Sequence, residues 1–240
     1  EQAGSSLTFI ADNQTDRNFF GWQMPPSMVQ IFNGLFVVIL AVPFSMLWDK
    51  LRASNKEPIS PVKLAVGLLL ITISFFMIAN QVKDLGNSGL LAIKWLILLY
   101  LLNTCAELCL SPIGLSLVGK LSPKRFSSLL YGVFFLSNAS GYALGGTLGS
   151  ILPATGDKFN KAKELGIDLQ GILDKTITPT AEQLKLLADH NISDHNNIFA
   201  GFEIHNLFEF FMVFVVLTGI AALILFALTP FLKKMMHGVR

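Results

Sequence analysis

WLILLYLLNTCAELCLSPIGLSLVGK, residues 95–120, decides the fold, because it reads as one hydrocarbon-spanning helix with a single carboxylate, Glu107, set inside it. Glu107 lies about 12 residues past Trp95, roughly 18 Å at 1.5 Å per residue. That is near the middle of a hydrocarbon core about 30 Å thick. A carboxylate at that depth costs about 2.5–3.5 kcal/mol on the mildest scale, and intramembrane ionisable groups are functional by default. Tyr100, Asn103, Glu107, Ser111 and Gly114 recur at steps of three and four, so they share one helix face. Pro112 stands one turn past the carboxylate and removes a backbone donor there.

Composition agrees with a membrane protein. The chain is 52% hydrophobic and 14% charged, with mean hydropathy +0.57, whereas soluble domains carry about 25% charged residues. Its apolar runs do not alternate as barrel strands would, so the expected class is all-α. Spans are expected at about 27–48, 62–81, 91–118, 126–152 and 206–232, with a partial one at 1–10. The chain opens on EQAG with no leader, which reads as a start inside a helix. A polar insertion, 153–204, separates the last two spans. Some helix is expected in it, because Thr180 and Gln183 form a capping-box pattern ahead of an amphipathic turn.

Lys and Arg crowd the loops on one side, among them Lys50, Arg52, Lys56, Lys120, Lys124, Arg125, Lys233 and Lys234. The positive-inside rule makes that side and the C-terminus cytoplasmic and puts 153–204 outside. The chain is therefore expected in the cell (inner) membrane as a multi-pass protein. Cys105 and Cys109 fall in one span and imply neither a disulfide framework nor a zinc knuckle. His190, Asp194 and His195 match no metal-ligand spacing. No metal site, cofactor or nucleic-acid partner is expected.

The spans differ in polarity. Those at 62–81 and 206–232 are apolar nearly all round and are expected to face lipid or buttress others. The span at 126–152 carries a stripe of Tyr131, Phe134, Asn138, Gly141, Gly145 and Gly149, whose glycines suggest a close helix-packing face. The first full span adds Gln30 and Asn33, and the opening segment adds Glu1 and Gln2. These stripes are expected to meet in a shared polar interior. With no Lys or Arg at comparable depth, Glu107 needs a proton, a ligand cation or a side chain from outside this sequence. The alternative is a neutral carboxyl packed against Asn33 or Asn138.

Several of these stretches together resemble the C-terminal half of a proton-dependent oligopeptide transporter of the major facilitator superfamily. The resemblance rests on EQAGSSL at 1–7, Gln30 with Asn33, EPISPVKLAVGL at 57–68, AELCLSPIGLS at 106–116 followed by KLSP, and FFLSNASGYALGG at 134–146. It implies a six-helix bundle with its first helix truncated, and proton-coupled symport of di- and tripeptides by the whole transporter. Helices seven, eight, ten and eleven of such a protein line the cavity, and nine and twelve are peripheral. By resemblance Glu107 pairs with the peptide amino terminus, and Asn33 bonds the peptide backbone. Phe134 stands where many members have tryptophan, Asn138 stands near a ligand-contacting serine, and Glu1 matches a glutamate of proton coupling. Gln30, Asn103 and Ser111 complete the candidate substrate site. The implied partners are a peptide, protons, lipid and a missing six-helix half. Transport of another solute, such as nitrate or an amine, remains open, as do a non-transporting scaffold and a membrane enzyme using the His/Asp loop.

Overall fold

Proline and polar caps mark where the long apolar runs become helices. The computed structural model describes residues 6–19, 21–83, 85–86 and 89–236. Glu1 and Gln2, expected in the polar interior, lie outside the described residues. In chain order the helices are α1 (Ser6–Asn13), α2 (Ile31–Ala53, entered through a 3-10 turn, Pro26–Gln30), α3 (Ser60–Val82), α4 (Ile93–Leu121) and α5 (Ser127–Ser150). The short α6 (Gly156–Glu164), α7 (Leu169–Leu173) and α8 (Ala181–Asp189) follow, and α9 (Leu207–Met235) is last. Pro61 occupies the first turn of α3, where its missing N–H breaks no helical bond. Asn206 caps α9 by accepting from Glu209 N at 2.9 Å, and the Glu209 carboxylate accepts back from His205 N at 2.7 Å.

Four of these helices are long and apolar enough to cross a membrane: Pro26–Ala53, Ser60–Val82, Ile93–Leu121 and Leu207–Met235. A helix satisfies its own backbone, which is the condition for crossing hydrocarbon. The chain is a helical, multi-pass membrane protein. Helix α5 has the length, 24 residues, but its serines, glycines and asparagine make it less apolar than the other four.

Helix α3 holds the bundle together, because α4 packs on one flank and α9 on the other. Against α4, a Cβ built on Gly67 would lie 2.8 Å from Leu110 Cγ and 3.1 Å from the Ala106 carbonyl, so only glycine permits this approach. Against α9, the Phe75 ring lies 5.1 Å from that of Phe214 and 6.2 Å from that of Phe211. Such aromatic pairs add about 0.5–1.5 kcal/mol beyond their burial. The Thr72 hydroxyl meets that of Thr218 at 2.9 Å in the same seam.

At the end away from the basic loops, α1 leads to β1 (Thr15–Asp16) and a hairpin of β2 (Asn18–Phe19) and β3 (Trp22–Gln23). Strand β1 pairs in parallel with β4 (Leu91–Ala92), just ahead of α4. Gln14 ties this end together: its carbonyl accepts from Leu91 N at 2.8 Å and its side chain accepts from Gly156 N at 3.3 Å. Residues 153–204 form a small unit with its own core of Ala162, Ile167, Leu169, Ile172, Leu173 and Leu187. Its α8 begins with a complete capping box, Thr180 Oγ1 accepting from Gln183 N and Gln183 Oε1 from Thr180 N. The antiparallel pair β5 (Asn197–Phe199) and β6 (Phe202–Ile204) turns at Ala200 and Gly201, both with positive φ (50° and 88°), and delivers the chain to α9.

Candidate functional site

Three contacts set the helices in register around Glu107. The Thr104 hydroxyl donates to Asn33 Oδ1 at 2.7 Å, which levels α2 with α4 one turn before the carboxylate. The Ser74 hydroxyl donates to Asn103 Oδ1 at 2.7 Å and does the same for α3. On the far side, a Cβ on Gly114 would lie 3.5 Å from the Phe134 ring. Because α4 and α5 run antiparallel, that contact puts Gly141 level with Glu107 and Leu148 level with Tyr100.

A cavity of about 840 Å³ opens between these helices. Asn33, Tyr100, Asn103, Glu107 and Ser111 all line it, so one face of α4 and one residue of α2 meet as the helical period requires. Glu107 is exposed to this space, and among the described residues no side chain donates to it. The packed arrangement, with the carboxyl bonded to Asn33 or Asn138, is not present among the described residues. Asn33 and Asn103 each accept from a helix hydroxyl at the amide oxygen, which leaves the amide nitrogen for a ligand. Tyr100 is buried, and among the described residues its hydroxyl has no hydrogen-bond partner.

Gln30, Phe134 and Asn138 do not line this cavity. Gln30 Nε2 donates to Thr8 Oγ1 at 2.6 Å, which joins α2 to α1. The Phe134 ring covers Gly114 and lies edge-on to Phe135 at 5.8 Å. Asn138 is exposed on α5, about one turn nearer the basic end than Gly141.

Two expectations need correcting. The α5 glycines do not pack closely at Gly141 or Gly146, where a Cβ would meet nothing within 4 Å among the described residues. Gly141, Gly145 and Gly146 line the cavity instead. Nor are α3 and α9 merely peripheral, since Ile71, Phe75, Phe214 and Thr218 from them line the same cavity. The reason is that α5 packs chiefly on α4, so the flank of the α3–α9 seam stays open to the cavity. Sequence periodicity missed these residues because an apolar cavity wall and an apolar lipid face have the same pattern.

Below the cavity, the α2–α3 turn holds an ion-pair cluster that sequence reasoning also missed. Glu57, its side chain only 6% exposed, accepts from Arg52 Nε at 2.9 Å and Lys63 Nζ at 2.5 Å. These two bonds hold the Glu57 carboxyl down at about 2. Lys63 also lies 4.8 Å from the Trp48 ring centre.

Known proteins bear on this geometry. The chain is 38% identical over 144 residues, 60% of its length, to the uncharacterized transporter YclF of Bacillus subtilis (strain 168). It is 33% identical over 157 residues, 64% of its length, to the peptide transporter YePEPT of Yersinia enterocolitica. It is also similar to a di-/tripeptide transporter of Lactococcus lactis subsp. cremoris, 30% identical over 158 residues, 64% of its length. These matches span 29%, 30% and 31% of the relatives' own lengths. Among solved structures, the peptide transporter POT in complex with sulfate superposes with a TM-score of 0.68 at 27% identity, covering 99% of this chain and 37% of that one. A mutant of a peptide transporter POT in complex with alafosfalin gives 0.68 at 28% identity, covering 99% and 38%. The sequence profile of the POT family, PTR2, matches residues 1–165, more than two thirds of the chain. A helical bundle with its carboxylate at mid-helix in a shared cavity, and a profile match of that extent, have one conclusion: the chain belongs to the POT family.

Proposed function

We propose that this chain is the C-terminal half of a proton-coupled symporter of di- and tripeptides. One observation carries the reading. Glu107 is exposed in a cavity with no protein donor among the described residues, beside asparagine amides that each keep one end open. A zwitterionic peptide complements that set. Its ammonium answers the carboxylate in a charge-assisted bond, and its backbone amide answers Asn33 and Asn103. Ser111, one turn on, offers a further hydroxyl. Gln30, Phe134 and Asn138 would then act in another state of the transport cycle or against the other half. Glu1 is assigned proton coupling by resemblance.

The relatives support the substrate class, since two of them are peptide transporters. The asymmetry of Lys and Arg supports a cytoplasmic C-terminus in the inner membrane with 153–204 outside. An anion such as nitrate is a poorer fit to a cavity whose ionisable group is a carboxylate.

The test is uptake of a labelled dipeptide by the complete transporter in proteoliposomes under an inward proton gradient. Uptake should collapse when the gradient is dissipated and in Glu107→Gln. Undiminished uptake by Glu107→Gln with normal affinity overturns the role of Glu107, and failure of dipeptides to be taken up or to compete overturns the substrate class.

A further inference from the structure

Two β-hairpins at the end away from the basic loops share one pattern. The β5–β6 hairpin reads NIFAGFEI at 197–204, and the β2–β3 hairpin reads NFFGWQ at 18–23. In each, a paired couple of aromatics flanks two residues of which the second is glycine: Phe199 with Phe202 around Gly201, and Phe19 with Trp22 around Gly21. Both glycines have positive φ, 88° and 82°, as tight hairpin turns require. No charged residue falls within 197–202 or within 18–23. Trp22 is half exposed and Phe202 is 75% exposed. Single exposed apolar side chains are ordinary on a protein surface, but here an exposed aromatic recurs at the same place on two hairpins.

The bundle fixes the height of the β5–β6 hairpin. At its base, Asn197 Nδ2 donates to the Leu152 carbonyl at 2.9 Å, just past the end of α5, and Ile204 lies just ahead of α9. Cross-strand partners and alternate residues share one face of a strand pair, so Asn197, Phe199, Phe202 and Ile204 lie on the same side. On that side Ile204 is buried, and Phe199 packs against the core that holds Leu148, Ile151, Leu207 and Phe210. The hairpin therefore leans on the adjoining ends of α5 and α9, and Phe202 overhangs them. Three residues of strand reach only about 10 Å, so the tip stays near the level at which these helices leave the hydrocarbon. Below it, α9 presents exposed apolar side chains, Val216, Ile220 and Leu223, along the same spanning helix. On the opposite side of the hairpin, Glu203 accepts from Lys175 Nζ at 2.5 Å, which leaves the tip without a free charge nearby.

We propose that the β5–β6 tip is a bilayer anchor: Phe202 seats in the boundary between headgroups and acyl chains of the leaflet opposite the basic loops. It holds the 153–204 unit down on the membrane, and Trp22 does the same for the connection into α2. Aromatic side chains favour that boundary because it is apolar on one side and wet on the other. An uncharged, projecting tip inserts by its apolar surface alone, so the attachment does not require anionic headgroups. The inference is independent of the solute carried.

The test uses the complete transporter with its native cysteines, Cys105 and Cys109 among them, replaced by serine. Phe202→Cys, Trp22→Cys and Lys185→Cys are each labelled with the environment-sensitive fluorophore NBD and reconstituted in phosphatidylcholine vesicles. The label at position 202 should emit at shorter wavelength than the one at position 185. It should also lose more than about half its intensity to lipids carrying a nitroxide near the glycerol, and little to aqueous iodide. The label at position 185, in α8, should show the reverse. Replacing part of the phosphatidylcholine by phosphatidylglycerol should leave the signal at position 202 unchanged. Equal iodide quenching at positions 202 and 185 overturns the anchor. A blue-shifted label at position 202 that nitroxide lipids do not quench also overturns it, because the tip then rests on protein, whether the rest of the transporter or a second copy. A lipid signal that appears only with phosphatidylglycerol overturns the uncharged mode of insertion. The label at position 22 should match that at position 202, and a water-exposed label there overturns the part assigned to Trp22.

Discussion

The Thr104 hydroxyl reaches Asn33 Oδ1 across the α2–α4 interface at 2.7 Å while sharing its proton with the Tyr100 carbonyl at 2.8 Å. Thr104 is fully buried, so this contact fixes Asn33 one turn from Glu107 without itself touching the cavity's open space. Thr104→Val keeps the shape and removes the hydroxyl. A lost hydrogen bond of this kind is worth about 0.5–1.5 kcal/mol, which corresponds to roughly two- to tenfold weaker binding. The half-saturation concentration for dipeptide uptake should rise by that factor with the maximal rate little changed. An unaltered concentration dependence would separate Asn33 from substrate binding.

Glu57 links acid stability to the α2–α3 turn. Its folded-state pKa, about 2, is held below the ordinary value of 4.5 by hydrogen bonds from Arg52 and Lys63. A depressed carboxyl contributes stability that is complete above the unfolded value and is lost as pH falls toward the folded one. The melting temperature of the purified protein should therefore decline between about pH 4.5 and 2 in part through this residue. Glu57→Gln should flatten that part of the decline. It should also lower stability at neutral pH by about 3–5 kcal/mol, because Lys63 is left buried without its partner. Equal acid profiles for the two proteins would show that the cluster is not coupled to folding.

Tyr100 presents the opposite case, a buried hydroxyl with no hydrogen-bond partner among the described residues. Such a group costs about 1–3 kcal/mol of desolvation. Tyr100→Phe should raise the melting temperature of the ligand-free transporter by a few degrees, and a fall would reveal a partner supplied by the rest of the protein.

Orientation is open to a labelling experiment. With Cys105 and Cys109 replaced by serine, Lys185→Cys in α8 should react with an impermeant maleimide in intact cells. Lys124→Cys, in the turn before α5, should react only after permeabilisation. Both side chains are exposed, so access is decided by the membrane alone. The reverse pattern would invert the topology.

Helix existence and the polar face of α4 were legible in the sequence, because 3.6-residue periodicity and a lone mid-span carboxylate are one-dimensional signals. The pairing of Asn33 with the α4 face was legible for the same reason, as was the capping box at Thr180 and Gln183. The roles of Gln30, Phe134 and Asn138 were not, since a residue on a polar stripe can point to a neighbouring helix, a glycine or open space. The ion-pair cluster of the α2–α3 turn was beyond reach as well. Glu57 meets Lys63 and Arg52 only because of the particular path the chain takes through the turn between α2 and α3, which no periodic pattern encodes.

That this is a helical membrane protein with an ionisable group at mid-depth follows from the order of its residues alone, because the cost of burying backbone and charge in lipid leaves few alternatives. Which apolar surfaces are walls of a cavity emerges only when the helices are packed together. Ile71, Phe75 and Phe214 look like lipid-facing or core residues in any periodic reading. Their place beside Glu107 depends on how far α5 stands from α3 and α9, a distance that no local pattern encodes.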